Sequence, residues 1–534
     1  MKKYITNKKY IWLLLSLLSI VACNEPEDVL ADYNVFPETP EELPALTAGS
    51  ANFSKYVALG NSLTAGFMDG ALFKAAQENS FPNILAQQFA LAGGGSFNQP
   101  LTNDNFGGLA VAGTRIQNPR LVTTGGAPLP LESVIGPVTV STDIALNNPT
   151  GPFNNLGVPG AKSFHLLANG YGNLANFPAA ANPYFVRMTG STPNASVLEL
   201  AMAQNPSFFS LWIGSNDVLG YALSGGDGSN PITDTATFET VYNGLIATLT
   251  SSGAQGIVAN VPYIENASFF STVKFDALDP QDPSQAAYAE QIPLLNAAYS
   301  DINTAFTFLG FPERSIVFSE TEKSPVVIHD EDLPDISAQL AAVLQGGGLD
   351  AATANLLGNQ YGQARQATEN EIILLTAAGI LGDVNVDYYT QLVTAGVPAQ
   401  FAGQLSVNGL TYPLQDKWVL LVNERIAIFE ATDAYNVIIE NAANSAGLAH
   451  IDTKSLIQQI AETGFETDPY IFTNDLVTGG VFSLDGLHPT SRGNALLANE
   501  FLKVIDAKYG SNFEASGNLV DVTNYRTNYS PLLQ

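Results

Sequence analysis

The chain has 534 residues, 46% of them hydrophobic and 10% aromatic, with 46 glycines and 30 prolines. That supplies apolar side chains for a sizeable core and turn formers for many long connections. Its formal net charge of −29 argues against nucleic-acid binding, which depends on Lys and Arg neutralising phosphates, and its single cysteine, Cys23, excludes intramolecular disulfides.

Lys2, Lys3, Lys8 and Lys9 give a positive start, and Ile11 to Ala22 is an apolar run shorter than the ~20 residues a membrane-spanning helix needs. The run ends Ile20-Val21-Ala22-Cys23, which resembles a bacterial lipobox with Cys23 as the lipid-attachment residue. Residues 1–23 therefore read as a lipoprotein signal peptide. Residues 24–50 are acidic and Pro-rich, as in Asn24-Glu25-Pro26-Glu27-Asp28 and Pro37-Glu38-Thr39-Pro40-Glu41-Glu42, and read as a disordered tether. An acidic tract directly after a lipobox resembles the surface-export signals of Bacteroidetes-type lipoproteins. It implies a lipid-anchored protein of the bacterial cell envelope, at the outer membrane.

Tyr56-Val57-Ala58-Leu59 is an apolar run that reads as a buried strand, and Gly60 breaks it before Asn61-Ser62-Leu63. A turn of this kind holds a serine hydroxyl clear of its own backbone, as a nucleophile requires. Asn79 and Ser80, Pro82, and the spacing of Ile84, Leu85, Phe89 and Leu91 predict a helix closed by Gly93-Gly94-Gly95. Residues 96–150 lack a period and read as loop. Further short strands are expected within 153–160, 207–213, 257–261 and 448–452, with helices over about 417–446 and 491–508. Short apolar strands alternating with helices imply a parallel sheet covered on both faces, with ligands bound beyond the carboxyl ends of the strands. Gly60-Asn61-Ser62, Pro159-Gly160 and Gly214-Ser215-Asn216 would then share one sheet edge. Residues 321–415 exceed what a crossover needs and carry helical spacing (Ile336, Leu340, Val343, Leu344), which predicts a mainly helical insertion.

Of the four histidines, His165, His329, His450 and His488, only His488 has an acid three residues before it in a loop that leads into a helix: Asp485-Gly486-Leu487-His488-Pro489. A carboxylate against one imidazole nitrogen fixes the tautomer and frees the other nitrogen to take a proton. His450, inside an apolar strand, reads as a core residue. Asp383-Val384-Asn385-Val386-Asp387 begins like a calcium loop but lacks the glycine and glutamate that such a loop needs, and no phosphate loop or zinc cluster occurs.

Four blocks in order, Gly60-Asn61-Ser62-Leu63, Asn155 through Gly160, Gly214-Ser215-Asn216-Asp217 and Asp485-Gly486-Leu487-His488, resemble those of the SGNH hydrolases, the GDSL-type esterases and lipases. Asn61 departs from the aspartate usual before the family's serine. The resemblance implies an α/β, three-layer flavodoxin-like SGNH fold with a central parallel sheet of about five strands. Its core would run over 51–320 and 416–510, interrupted by the 321–415 insertion and followed by a tail over 511–534. It further implies a Ser62, Asp485 and His488 triad, an oxyanion hole made by the Ser62 and Gly160 backbones and the Asn216 amide, and no cofactor or metal. The expected substrate is a carboxylic ester, whether a small molecule, a lipid or an acylated glycan, and the expected membrane contact is the lipid anchor. The 96–150 loop and the insertion are expected to shape the acyl and alcohol pockets. A non-catalytic glycan-binding lipoprotein on the same fold is the alternative. The complete set of Ser62, His488 and Asn216 argues against it.

Overall fold

Tyr56–Gly60 forms β1, buried along its whole length. Gly60 is required at its end because a β-carbon there would collide with Thr64 and with the Trp212 carbonyl. In the computed structural model, residues 43–534 are described; the signal segment, Cys23 and the tether as far as residue 42 lie outside the described residues. Residues 46–514 and 518–534 form one unit, with residues 43–45 and 515–517 assigned apart from it, and everything below concerns the larger unit.

A one-turn helix, α1 (Ser62–Ala65), follows β1 directly. Then come α2 (Phe81–Leu91), β2 (Asn155–Gly157), β3 (Phe208–Trp212), α3 (Ser215–Leu223), α4 (Thr235–Thr250), β4 (Gln255–Ala259), α5 (Ala286–Leu309), α6 (Val422–Ala446), β5 (Ala449–Ile451), α7 (Thr453–Glu462) and α8 (Ser491–Tyr509). The five strands make one parallel sheet in the spatial order β2-β1-β3-β4-β5. The order reverses direction between β1 and β3, so loops leaving those two strands open a crevice at the carboxyl edge. Helices α2 and α8 pack together, and α4 packs on α6. Right-handed crossovers place these pairs on opposite faces of the sheet.

The main core contains the sheet and these helices, with Phe81, Trp212 and Phe501 in ring contact on one face and Phe238 stacked on Tyr435 on the other. A second cluster draws on buried residues from Leu278 to Leu421, including Tyr299, Leu340, Leu357 and Tyr361. It reaches outside the expected 321–415 because α5, upstream of that segment, supplies Ile292, Tyr299, Ile302 and Phe306 to it. Asn385, in the stretch that begins like a calcium loop, caps a helix by accepting the Tyr388 N–H at 2.9 Å.

Two expectations need correction. Residues 46–50 were placed in the disordered tether, yet the Ser50 N–H donates to the Tyr509 carbonyl at 2.8 Å at the end of α8. The 96–150 stretch holds two short antiparallel pairings, Leu109–Val111 with Thr114–Gln117 and Leu121–Val122 with Leu129–Pro130. Its fully buried Arg120 explains the order: the guanidinium donates to the Asn105 carbonyl at 2.9 Å and to the Ser530 carbonyl at 2.7 Å. Among the described residues, no helix is long and apolar enough to cross a membrane.

Candidate active site

Ser62 is the first residue of α1 and is 8% exposed. Asn61, at the cap, accepts the Leu63 N–H on Oδ1 at 2.9 Å. Among the described residues the Ser62 N–H has no acceptor, as befits a donor in the first turn of a helix. The turn is tightened from the side by β2: Gly157 sits so close to α1 that a β-carbon would collide with the Thr64–Ala65 peptide.

His488 and Asp485 stand on the loop that enters α8. His488 Nδ1 lies 2.8 Å from Asp485 Oδ2. Asp485 Oδ1 accepts the Leu487 and His488 N–H groups, each at 2.9 Å, and Oδ2 accepts the Gly70 N–H at 2.8 Å. Burial pushes the Asp485 carboxyl up, but the His488 ring and the His488 and Leu487 N–H groups outweigh it and hold it down at about 2. The carboxylate is thus charged at neutral pH and keeps the proton on Nδ1, leaving Nε2 as the free imidazole nitrogen. Phe67, just beyond α1, packs its ring against His488 with centroids 4.6 Å apart.

Ser62, Asn216 and His488 line one cleft. Among the described residues the His488 ring is hydrogen-bonded to Asp485 and not to Ser62, and contacts between a nucleophile and its base commonly close only when substrate is bound. Asn216 follows β3, so it faces Ser62 across the reversal point of the sheet. Its amide donates one hydrogen to the Ala161 carbonyl at 2.9 Å, which leaves the second N–H of the same nitrogen for another acceptor. Asp217 is fully buried and accepts the Ser163 N–H at 2.8 Å and the Ser163 hydroxyl at 2.7 Å. It braces the 161–163 turn against α3 and so fixes what Asn216 holds.

Gly160 sits in the left-handed region at φ +79°. It is exposed, and its N–H has no partner among the described residues. The other glycine of that block, Gly157, already donates its N–H to Asn155 Oδ1 at 3.0 Å, so Gly160 is the one with a donor to offer. The cleft lining includes neither Gly160, which is exposed, nor Asp485, which meets the cleft only through His488.

No family model, curated protein or solved structure matches the chain.

The other histidines lie elsewhere. His165 accepts the Lys162 N–H at 3.0 Å and stacks on Tyr171, and burial together with Lys162 pushes it down to about 4. His329 is in a short strand paired with Ala364. His450 is a half-buried residue of β5, opposite Val258.

Neither the 96–150 stretch nor the 321–415 insertion lines the cleft, contrary to expectation; its walls come from residues 61–63, 212, 215–216, 219, 262–264, 267, 457, 481–482, 487–489 and 497. The reason is that β-strand ends and the entry of α8 close around Ser62, while the insertion spends most of its apolar side chains on the second cluster and sends only Ile372, Leu374 and Leu375 to the main core. Sequence reasoning also missed Asp69 and Ser483. Asp69 is fully buried with φ 55°, donates its N–H to Ser483 Oγ at 2.9 Å, and accepts the Leu484 N–H on Oδ1 at 3.0 Å. The only sequence signal was Gly70, a turn former beside an acid.

Proposed function

We propose that the chain is a serine hydrolase of carboxylic esters, with a flavodoxin-like SGNH-type architecture and a Ser62, His488 and Asp485 triad. The observation that carries this reading is His488, held by Asp485, lining the same cleft as a serine at a helix N-terminus beyond the carboxyl end of β1.

Serine is a weak nucleophile until a base takes its proton. Here His488 Nε2 takes the Ser62 proton as Oγ bonds to the ester carbonyl carbon, and Asp485 stabilises the imidazolium that forms. The developing oxyanion is met by three neutral donors: the Ser62 N–H, the Gly160 N–H and the second N–H of the Asn216 amide. His488 then protonates the leaving alcohol. In the second half, His488 takes a proton from water, the water oxygen bonds to the acyl carbon, and Ser62 Oγ leaves with the proton returned to it.

The lipobox-like run ending at Cys23 supports a lipid anchor at the bacterial envelope for the same protein. The test is hydrolysis of p-nitrophenyl esters by the mature protein. Turnover should be lost in Ser62→Ala and His488→Ala, and should fall about 10²–10³-fold in kcat in Asn216→Ala, the usual cost of one oxyanion donor. Equal turnover by the parent and Ser62→Ala would overturn the proposal.

A further inference from the structure

The cleft beside Ser62 carries information about the acyl group. Its lining includes Trp212, Ala267, Ile457, Val481, Phe482 and Leu497, all members of the main hydrophobic core. The cleft is therefore an opening into the core and not a groove laid over the surface. No Asp, Glu, Lys or Arg lines it, although the chain carries 71 such residues. Trp212, in the apolar wall, already spends its buried indole N–H on the Asn260 carbonyl at 3.1 Å. The polar groups Asn61, Ser62, Ser215, Asn216 and His488 come from the loops that leave β1 and β3 and enter α8, and Tyr263, after β4, spends its hydroxyl hydrogen on Asp433 at 2.6 Å.

The geometry points to an uncharged aliphatic acyl chain of more than two carbons as the group this cleft holds, so the substrate class is esters of such acids and not acetyl esters. The inference rests on the serine-hydrolase reading. An acetyl group leaves most of the apolar wall unfilled, and a sugar or a charged acyl group would lose water to a wall that offers it no hydrogen bonds. Each methylene moved from water to such a wall is worth about fourfold in kcat/KM when fully buried.

The experiment is a series of p-nitrophenyl esters from acetate to octanoate, run on the full mature protein. The expected result is a rise in kcat/KM of at least tenfold from acetate to hexanoate. In Ala267→Phe, which fills the apolar wall, the hexanoate-to-acetate ratio should drop at least tenfold; where that variant does not fold, Leu219→Trp, at a half-buried lining position, makes the same test. A flat series, or acetate as the best ester, would overturn the inference while leaving the hydrolase reading intact. In parallel, octanoate and acetate are titrated against Ser62→Ala with Trp fluorescence as the readout, since Trp212 lines the cleft. A saturable response to octanoate alone, from a protein whose parent hydrolyses no ester, would uphold the cleft assignment and overturn the hydrolase reading. No response to octanoate would overturn the cleft assignment.

Discussion

Gly70 and Asp485 are joined by a hydrogen bond: the Gly70 N–H donates at 2.8 Å to Asp485 Oδ2, the oxygen that also faces His488 Nδ1. Beside it, Asp69 donates its N–H to Ser483 Oγ and takes the Leu484 N–H on Oδ1. The turn a few residues beyond the serine helix therefore clamps the loop that carries the histidine and its carboxylate, though the two are more than 400 residues apart in sequence.

Asp485→Asn should abolish most turnover while the fold survives. The amide places a donor where Oδ2 receives the Gly70 N–H and His488 Nδ1, and the imidazole turns to the wrong tautomer. A loss of about 10⁴-fold in kcat is the expected scale for such a change in a Ser-His-Asp triad. Ester turnover together with a thermal unfolding scan checks it; a tenfold loss or less would mean that the pair does not orient the base.

The same carboxylate makes acid stability testable. Its folded pKa of about 2 lies below its ordinary value of 3.8. The stability it contributes is therefore present above about 3.8 and lost as pH falls through 2. The unfolding free energy of the parent should fall more steeply than that of Asp485→Asn between pH 4 and pH 2, as followed by urea titration.

Asp69 has the opposite sign. Burial, with the Asp485 charge adding to it against the pull of the Leu484 N–H and Arg120, raises its carboxyl to about 7, and its Oδ2 has no partner among the described residues. The folded state therefore holds a proton that the unfolded chain has lost above 3.8, and stability declines as pH rises from there through 7. At one pKa unit per 1.36 kcal/mol, the decline is of order 2–4 kcal/mol. Asp69→Asn keeps the Oδ1 acceptor for Leu484 and should flatten this decline between pH 5 and pH 8. An unchanged slope would show that Asp69 does not titrate there.

Gly157 and Gly160 should separate cleanly. Gly157→Ala drives a methyl into the Thr64–Ala65 peptide, and overpacking of this kind costs about 1–3 kcal/mol. Because the displaced atoms belong to α1, turnover should fall with stability. A methyl on Gly160 meets only Asn182 Nδ2 at 3.9 Å, so Gly160→Ala carries only the backbone strain at φ +79°, about 1 kcal/mol. Urea titration and ester turnover of the two variants decide it; equal effects would contradict the tight packing of β2 on α1.

Much of the sheet was legible in the chain because its strands are short apolar runs ended by glycine, as at Tyr56–Gly60 and Phe208–Trp212. The Asp485–His488 contact was legible for a similar reason, since a three-residue spacing on one loop leaves few other geometries. The clamp at Asp69 was not, because it joins residues more than 400 positions apart through backbone N–H groups that any residue type supplies. Nor was the cleft wall, whose Ile457 and Leu497 are indistinguishable in sequence from ordinary core residues of α7 and α8. The extent of the second cluster was misread because α5 has the apolar spacing of any packed helix, and spacing does not say which core a helix joins.

The most direct measurement is mass mapping of the mature protein after treatment with a fluorophosphonate, alongside His488→Ala. The account predicts one adduct, on Ser62, and its loss in His488→Ala. An adduct on another serine, or none on a protein that unfolds cooperatively, would contradict it.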